Sequence, residues 1–335
     1  MKINQSTRLA FTFTITGKCN CDCAYCHFYA KKDRVVYNRN LDDKLFDRYV
    51  EFIKFIQKKV QSVLCRFSGG EPLVMGDNLF DFSNKLFERT GIEPHILTNG
   101  KLLSTSVLEK AKNSHIQSFI ISFENPFDID RSSVPTDETI DKYRELQNDE
   151  IPLNLGMVVV KNQYFKDIGK ICDYFYKKIG QIPPLCEVNF TPYKSPTDEE
   201  FNDLYTNIKY VVKKYHDISD FSMFPYVVPE YCCANLNDMN YLVPLPIDDK
   251  YDALNKSNEE LLSIIEKQID TLNFPYDCDR LDCEWRDACK RVSAHWKMSN
   301  NTVSAEQKMK DYCKFKKTIS NAFFDALSET EDKHE

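Results

Sequence analysis

Residues 16–29 read TGKCNCDCAYCHFY and place three cysteines, Cys19, Cys23 and Cys26, in one short loop. Their spacing is Cys-x3-Cys-x2-Cys. Because thiolates are the ligands that iron–sulfur clusters take, three thiolates in one loop can hold three irons of a [4Fe–4S] cube. No fourth cysteine follows at matching spacing, so one iron would stay open to an outside molecule. This stretch predicts a catalytic metal loop with a vacant coordination position.

The loop alone leaves a second interpretation open, because short cysteine runs also bind zinc. Cys21 lies inside the loop, and we expect it to be a bystander. Three further segments then follow, each an apolar run that ends in small polar residues: VLCRFSGGEPLV at 63–74, HILTNG at 95–100 and FIISFE at 119–124. Gly-Gly-Glu-Pro alone is ordinary turn chemistry, but its position after the cysteine loop and at the end of the next strand is specific.

Strand and helix patterns alternate through the first two thirds of the chain. We expect strands at 9–17, 62–68, 95–99, 116–124, 153–160 and 186–193. Amphipathic helices are expected at 41–59, 78–90, 106–113, 137–147 and 164–179, with a last one from a capping box at Thr197 to residue 215. Continuous apolar strands separated by helices indicate an α/β fold with a parallel sheet, here an open, partial TIM-like (β/α)6 barrel. Ligands gather at the carboxyl ends of such strands, where the polar motifs fall.

In this order the motifs resemble the radical SAM superfamily over roughly residues 8–215. The resemblance implies that S-adenosylmethionine chelates the open iron and that the reduced cluster cleaves it to a radical that abstracts hydrogen from a substrate. It also implies which residues contact S-adenosylmethionine. These are Tyr25, Gly69, Gly70, Glu71, Thr98, Asn99, Ser122 and Glu124, with Glu71 offering its carboxylate to the methionine ammonium. Either Lys142 or Arg144 would pair with the methionine carboxylate, and the sequence does not separate them.

A second group of cysteines lies near the carboxyl end. CEWRDAC at 283–289 and a distant last cysteine resemble the C-terminal extension called SPASM, which marks radical SAM enzymes that modify peptides and proteins. The full pattern is incomplete here: Ser293 stands where one cysteine is expected, and YLVPLP at 241–246 lacks another. We therefore expect one auxiliary [4Fe–4S] cluster, and structural zinc is the alternative. Its ligands would be Cys278, Cys283, Cys289 and Cys313. Whether Cys232 or Cys233 binds metal stays open.

The composition limits the domain organisation, the partners and the cellular compartment that we expect for this protein. The chain has 335 residues, and we expect a barrel at 8–220 followed by a small SPASM-like lobe at 221–335. A net charge of −7 argues against a nucleic-acid partner. No apolar run approaches the ~20 residues that span a bilayer. Thirteen cysteines without an export signal favour metal ligation in the cytoplasm of a cell with little oxygen. We expect Cys65, Cys172 and Cys186 to be buried fillers.

These observations favour a peptide-modifying radical SAM enzyme. Its expected substrate is a ribosomal precursor peptide, and its expected product carries a crosslink such as a cyclophane, a thioether or an epimerised residue. We expect an electron donor such as flavodoxin or ferredoxin as a partner. Since strand 1 starts within about ten residues of Met1, leader binding would need either a separate leader-recognition protein or a surface of this chain. Rival interpretations are an anaerobic sulfatase-type protein maturase, a radical SAM enzyme acting on a small metabolite or nucleotide, and a non-enzymatic zinc or iron–sulfur protein.

Overall fold

The structure is a computed structural model that describes residues 3–21, 38–123, 125–127, 136–147, 150–158, 162–180, 182, 185–186, 195–215, 241–272 and 304–331. The chain forms two compact units. The first comprises residues 1–123, 130–155 and 239–271, and the second comprises 124–129, 156–238 and 272–335. Every described residue of the candidate site discussed below, except Cys313, lies in the first unit.

The first unit is built on a sheet with the strand order β5-β4-β3-β2-β1-β7. Its strands are β1 (Arg8–Thr16), β2 (Ser62–Gly69), β3 (His95–Thr98), β4 (Ser118–Phe123), the start of β5 (Leu153–Val158) and β7 (Tyr241–Leu245). The pairs β1–β2, β2–β3, β3–β4 and β1–β7 are all parallel. The fold is the open, partial barrel that the sequence predicted, with β7 added beside β1.

The helices up to residue 215 lie where the sequence periodicity predicted them, and two more described helices follow β7. Along the chain they are α1 (Asp43–Gln57), α2 (Asp77–Thr90), α3 (Thr105–Lys112), α4 (Thr136–Leu146), α5 (Ile168–Ile179), α6 (Asp198–Tyr215), α7 (Asn258–Leu272) and α8 (Ala305–Glu331). The predicted capping box at Thr197 is confirmed. The Thr197 N–H donates to Glu200 Oε2 at 2.7 Å, and the Glu200 N–H donates to Thr197 Oγ1 at 3.1 Å.

Alternate residues of the central strands pack under the helices. On β1 and β2, Phe13 and Phe67 meet edge to face at 5.4 Å, and Phe46 of α1 lies 5.3 Å from Phe13. Phe46 in turn stacks on Phe82 of α2 at 4.3 Å. Each fully buried Phe contributes about 1.5–3 kcal/mol by leaving water. This aromatic cluster fixes the helix-covered face, so the intervening residues Thr12, Thr14, Arg66 and Ser68 lie on the opposite, inner face of the sheet.

The second unit contains the end of β5, which pairs in parallel with β6 (Leu185–Cys186) through Met157 and Leu185. The predicted strand over 186–193 lies outside the described residues beyond Cys186. A 3-10 segment at Asn162–Asp167 precedes α5, so the predicted helix over 164–179 becomes α-helical only at Ile168. Helix α8 packs on α6, where the Tyr205 hydroxyl donates to Asp325 Oδ2 at 2.6 Å.

Two elements differ from the sequence-based expectations. Residues 241–246 were expected in the C-terminal lobe, yet Tyr241–Leu245 form β7, which covers the edge of β1 in the first unit. Pro244 is tolerated because β7 is an edge strand of that unit's sheet. The compact units therefore divide the chain differently from the expected boundary between residues 220 and 221. Helix α8 was not predicted, and it extends to Glu331.

Candidate functional site

Two glycines let the end of β2 pass directly beneath the start of the cysteine loop. A Cβ atom on Gly69 would lie 2.1 Å from the Thr16 carbonyl oxygen, and one on Gly70 would lie 2.2 Å from the Lys18 carbonyl oxygen. Both distances are far too short for any side chain. The approach is held by hydrogen bonds from the Gly70 N–H to Thr16 O and from the Glu71 N–H to Lys18 O, each 2.8 Å. The glycine pair is required for the loop and β2 to touch.

The Glu71 carboxylate is fully buried and joins the ends of β2 and β3 through hydrogen bonds. Its Oε1 accepts hydrogen bonds from Thr98 Oγ1 at 2.7 Å and from the Leu73 N–H at 3.0 Å, and its Oε2 accepts from the Asn99 N–H at 2.7 Å. Such bonds compensate for burying the charge. The carboxylate expected to contact an ammonium is thus used within the protein. Thr98, expected near the ribose, is likewise turned inward onto Glu71.

Asn99 ties the end of β3 to the cysteine loop. Its Nδ2 donates to Asn20 Oδ1 at 2.8 Å and to Cys21 Sγ at 3.2 Å, and it lies 3.9 Å from Cys19 Sγ. Its Oδ1 accepts from the Lys101 N–H at 3.0 Å. The side chain is only 7% exposed, so it is engaged by the loop and its own turn. We expected it to face S-adenosylmethionine, and the contacts described here are to the protein.

Cys19 has surroundings suited to a thiolate that binds iron. The backbone N–H of Cys21 donates to its Sγ at 3.3 Å, the kind of hydrogen bond that tunes iron–sulfur clusters. Cys21 itself is 5% exposed and contacts Asn99, so it contributes to the order of the turn. These donors fit a cluster ligand at Cys19. Cys23, Tyr25 and Cys26 lie outside the described residues, and their roles stay predictions.

The far end of the cysteine segment returns alongside β1. The Gly17 N–H donates to Arg39 O at 2.9 Å, and the Leu41 N–H donates to Ile15 O at 2.7 Å. The Thr16 hydroxyl donates to Asn40 Oδ1 at 2.9 Å. These bonds join residues 38–41 to the end of β1. The residues on both sides of the stretch 22–37 are therefore held at the carboxyl edge of the sheet. Ligands of parallel (β/α) folds bind at this edge.

Lys142 and Arg144, between which the sequence did not decide, have different surroundings in the structure. Lys142 on α4 donates from Nζ to Lys101 O at 2.7 Å, which places its ammonium at the turn that follows β3. The Arg144 side chain is 58% exposed and lies 4.0 Å from Asp141. Lys142 is therefore the one of the two that reaches the turn after β3, and the contact with the methionine carboxylate stays a prediction. Ser122, half-buried on the inner face at the end of β4, lies at the same carboxyl edge, and Glu124 falls outside the described residues.

A polar row crosses the inner face of the sheet at one level. Thr12, Arg66, His95 and Ser118 are register partners on four adjacent strands. Arg66 donates from Nε and Nη2 to Thr12 Oγ1 at 3.2 and 3.0 Å, and His95 Nδ1 lies 2.7 Å from Ser118 Oγ. Burial and the charge of Arg66 lower the pKa of His95 to about 4. Sequence reasoning missed this row, although alternation along β2 places Arg66 opposite the buried Phe67.

Of the second group of cysteines, the structure describes only Cys313. It is a partly exposed residue on α8 in the second unit. The other members, Cys278, Cys283 and Cys289, and the undecided Cys232 and Cys233 lie outside the described residues. Among the residues that are described, no group of three or more His, Cys, Asp or Glu side chains is arranged to hold a metal. Cys65 and Cys172 are buried as expected.

Residues 13–175 match the model of the Radical SAM superfamily. The matched stretch, which holds the cysteine loop, the glycine pair and the strands from the second half of β1 to β5, is a radical SAM domain. Members of this superfamily hold a [4Fe–4S] cluster and S-adenosylmethionine, and the residues around Cys19 fit such a cluster.

Two solved structures have a similar fold across most of the chain. That of anSMEcpe with bound AdoMet and Cp18Cys peptide is 14% identical, with a TM-score of 0.66 over 97% of this chain and 99% of that one. That of Streptococcus suis SuiB bound to S-adenosylmethionine is 16% identical, with a TM-score of 0.50 over 88% of this chain and 75% of that one. Because identity is low, these similarities establish the fold alone.

Curated relatives match shorter stretches. An uncharacterized protein of Methanocaldococcus jannaschii is 26% identical over 106 residues, 31% of this chain. An S-adenosylmethionine-dependent nucleotide dehydratase of Pseudoalteromonas ulvae is 33% identical over 128 residues, 35% of this chain. The matched stretches span only 34% and 40% of those relatives. No helix in the described part of the chain has the length and apolar character needed to cross a membrane.

Proposed function

We propose that this protein is a radical SAM enzyme that modifies a peptide, with a ribosomal precursor peptide as its substrate. The observation that supports this most is the similarity of fold along 97% of the chain to a protein whose structure holds both AdoMet and a peptide. The agreement extends beyond the radical SAM domain into the part of the chain that carries the second group of cysteines.

Cys19, Cys23 and Cys26 would hold the catalytic cluster. Gly69 and Gly70 would offer backbone groups to the methionine ammonium, since the Glu71 carboxylate is already used inside the protein. Lys142, held at the turn after β3, would contact the methionine carboxylate. When bound, the cluster and S-adenosylmethionine supply the one-electron chemistry that ends in hydrogen abstraction from the substrate.

The inner face of the sheet would orient the substrate. It carries the hydroxyls of Thr12, Thr14, Ser68 and Ser122 together with the guanidinium of Arg66. These groups donate and accept hydrogen bonds, which suits peptide carbonyls, amides and polar side chains. Holding the target C–H bond in place and excluding water are the tasks left to the protein.

A crosslink between two side chains requires an outlet for electrons. The peptide loses two hydrogens when the new bond forms: one leaves as the abstracted atom, and the other leaves as a proton while its electron passes to an acceptor. An auxiliary [4Fe–4S] cluster bound by Cys278, Cys283, Cys289 and Cys313 would be that acceptor. Flavodoxin or ferredoxin would reduce the catalytic cluster, and a separate protein would recognise the leader of the precursor. We place this chemistry in the cytoplasm.

A nucleotide substrate is the second candidate, and the 33% identity to a nucleotide dehydratase favours it. On that alternative, Arg66 would face a phosphate rather than a peptide group. The match covers only 35% of this chain. Maturation of a folded protein is a further alternative, because a bound peptide is equally compatible with it.

Co-expression with any short peptide found to be encoded beside the gene, followed by mass spectrometry of that peptide, tests the proposal. Loss of two hydrogens from the peptide, abolished by Cys23→Ala, is the expected result. An unmodified peptide, combined with 5′-deoxyadenosine formation only when nucleotides are supplied, would transfer the assignment to the nucleotide class. Modification of a serine or cysteine in a neighbouring sulfatase would instead identify a protein maturase.

A further inference from the structure

We propose that Asn99 is a positioning residue for the catalytic cluster and that Asn20 and Cys21 are its partners. This inference rests on the radical SAM assignment and does not depend on the substrate. Asn99 donates to Asn20 Oδ1 at 2.8 Å and to Cys21 Sγ at 3.2 Å. Through these bonds it fixes the turn that presents Cys19.

Asn99 can hold the loop in place because two further hydrogen bonds fix its own position. The buried Glu71 carboxylate accepts its backbone N–H at 2.7 Å, and its Oδ1 accepts the Lys101 N–H at 3.0 Å. Glu71 is itself joined to the loop by its N–H bond to Lys18 O. The side-chain amide is therefore aimed at the loop before any metal arrives. Preorganisation of this kind lowers the entropy lost when a cluster assembles.

The Asn99 side-chain amide contacts the loop at Asn20 Oδ1 and Cys21 Sγ, on the two residues that follow Cys19. The Asn20 carboxamide lies immediately after Cys19, and Cys21 donates its backbone N–H to Cys19 Sγ at 3.3 Å. If the turn is released, that N–H···S bond has no fixed geometry. Hydrogen bonds to cluster sulfurs stabilise the reduced state, so losing one moves the reduction potential to a more negative value.

Cys21 thereby acquires a role that its position in the sequence did not indicate. It is neither a fourth ligand by spacing nor a bystander, because its thiol is buried against Asn99 and its N–H points to Cys19. Cys21→Ser keeps the backbone donor and a small polar side chain. This variant is expected to bind a normal amount of iron, in contrast to Cys19→Ala.

Alkylation of the metal-free chain provides a readout that needs neither cluster nor activity. In Asn99→Ala, the thiol of Cys21 should react with iodoacetamide about tenfold faster than in the wild type, since two hydrogen bonds that close the turn are lost. Cys65 and Cys172 serve as internal controls for folding. Both are fully buried, burial raises the pKa of both thiols, and they should stay unreactive in both chains.

Asn20→Ala removes the acceptor from the exposed side of the same bond, so it tests the interaction without altering the β3 end if Asn99→Ala fails to fold. In the reconstituted protein, either variant should lower the midpoint potential of the cluster and speed its loss of iron, with Asn321→Ala, at an exposed position on α8, as the control. Unchanged Cys21 alkylation together with an unchanged potential in Asn20→Ala would overturn the proposal. A colourless wild type would instead refute the radical SAM function itself.

Discussion

The Thr98 hydroxyl donates a 2.7 Å hydrogen bond to Glu71 Oε1, joining the ends of β2 and β3 within a fully buried pair. Glu71 follows the glycine pair that touches the cysteine loop, and Thr98 precedes the asparagine that touches the same loop. One carboxylate therefore connects two neighbouring strand ends to the predicted metal loop. We therefore expect a substitution of Glu71 to affect both the stability of the fold and the assembly of a cluster in this loop.

Glu71→Gln tests that connection. In either orientation the substituted amide turns its NH₂ group towards a backbone N–H, that of Leu73 or that of Asn99, and leaves a buried donor unsatisfied. We expect the free energy of unfolding to fall by about 1–3 kcal/mol. Urea denaturation of the metal-free protein measures this loss. Glu88→Gln, at an exposed position on α2, should change stability by less than about 0.5 kcal/mol. Equal stability of the two variants would show that the carboxylate is dispensable.

Gly70→Ala should prevent the close contact between β2 and the cysteine loop. The new Cβ would lie 2.2 Å from the Lys18 carbonyl oxygen, a backbone atom that cannot rotate away. The loop must shift, so we expect the variant to retain far less iron after anoxic reconstitution. Gly91→Ala is the matched control, because it has open space around its Cβ and carries only the backbone strain of a positive φ, about 1 kcal/mol. Iron content near the wild-type value in Gly70→Ala would contradict the geometry.

Lys142→Met should weaken binding of S-adenosylmethionine, and Arg144→Met should not. Losing a charge-assisted hydrogen bond to a carboxylate raises the dissociation constant by roughly ten- to a hundredfold. Equilibrium dialysis with the reconstituted protein measures both variants directly. Arg144 lies on the same helix and carries the same charge, so the pair controls for net charge and helix stability. The opposite ranking would transfer the carboxylate contact to Arg144.

The polar row on the inner face predicts a pH dependence of stability. The pKa of His95 falls from its ordinary 6.5 to about 4 on folding, so the unfolded chain binds more protons between these values. Its contribution is therefore fully present above pH 6.5 and is lost as the pH falls towards 4, reaching at most about 3 kcal/mol. Urea midpoints of the wild type and His95→Gln at pH 7.5 and 5 measure this. The variant should lose less stability on acidification. Parallel loss in both proteins would assign the effect to other groups.

Much of the barrel was predictable because local pattern and tertiary packing agree. Helix α1 begins after Asp42, whose carboxylate accepts the Lys44 and Leu45 N–H groups, and its apolar side meets the sheet as the periodicity predicted. Strand β7 was not predictable, because it forms by pairing with the edge of β1. These two segments lie more than 200 residues apart in the sequence. Helix α8 was missed because its charged sequence hides the few apolar positions that pack on α6.

The candidate site was likewise predictable only in part. Motif order located the cysteine loop, the glycine pair and the strand ends, and the parallel sheet brought them to one edge. The orientation of Glu71 and Asn99 was not deducible, because a polar residue at a strand end can face a ligand or its neighbours equally well. Arg66 and His95 carry no motif and become visible only when strand register aligns them.

Electron paramagnetic resonance of the reduced, anoxically reconstituted protein, recorded with and without S-adenosylmethionine, tests the vacant iron position most directly. A [4Fe–4S] signal that changes shape when S-adenosylmethionine binds, and that disappears in Cys23→Ala, is the expected result. A signal unaffected by saturating S-adenosylmethionine, or a protein that binds zinc and no iron, would contradict it.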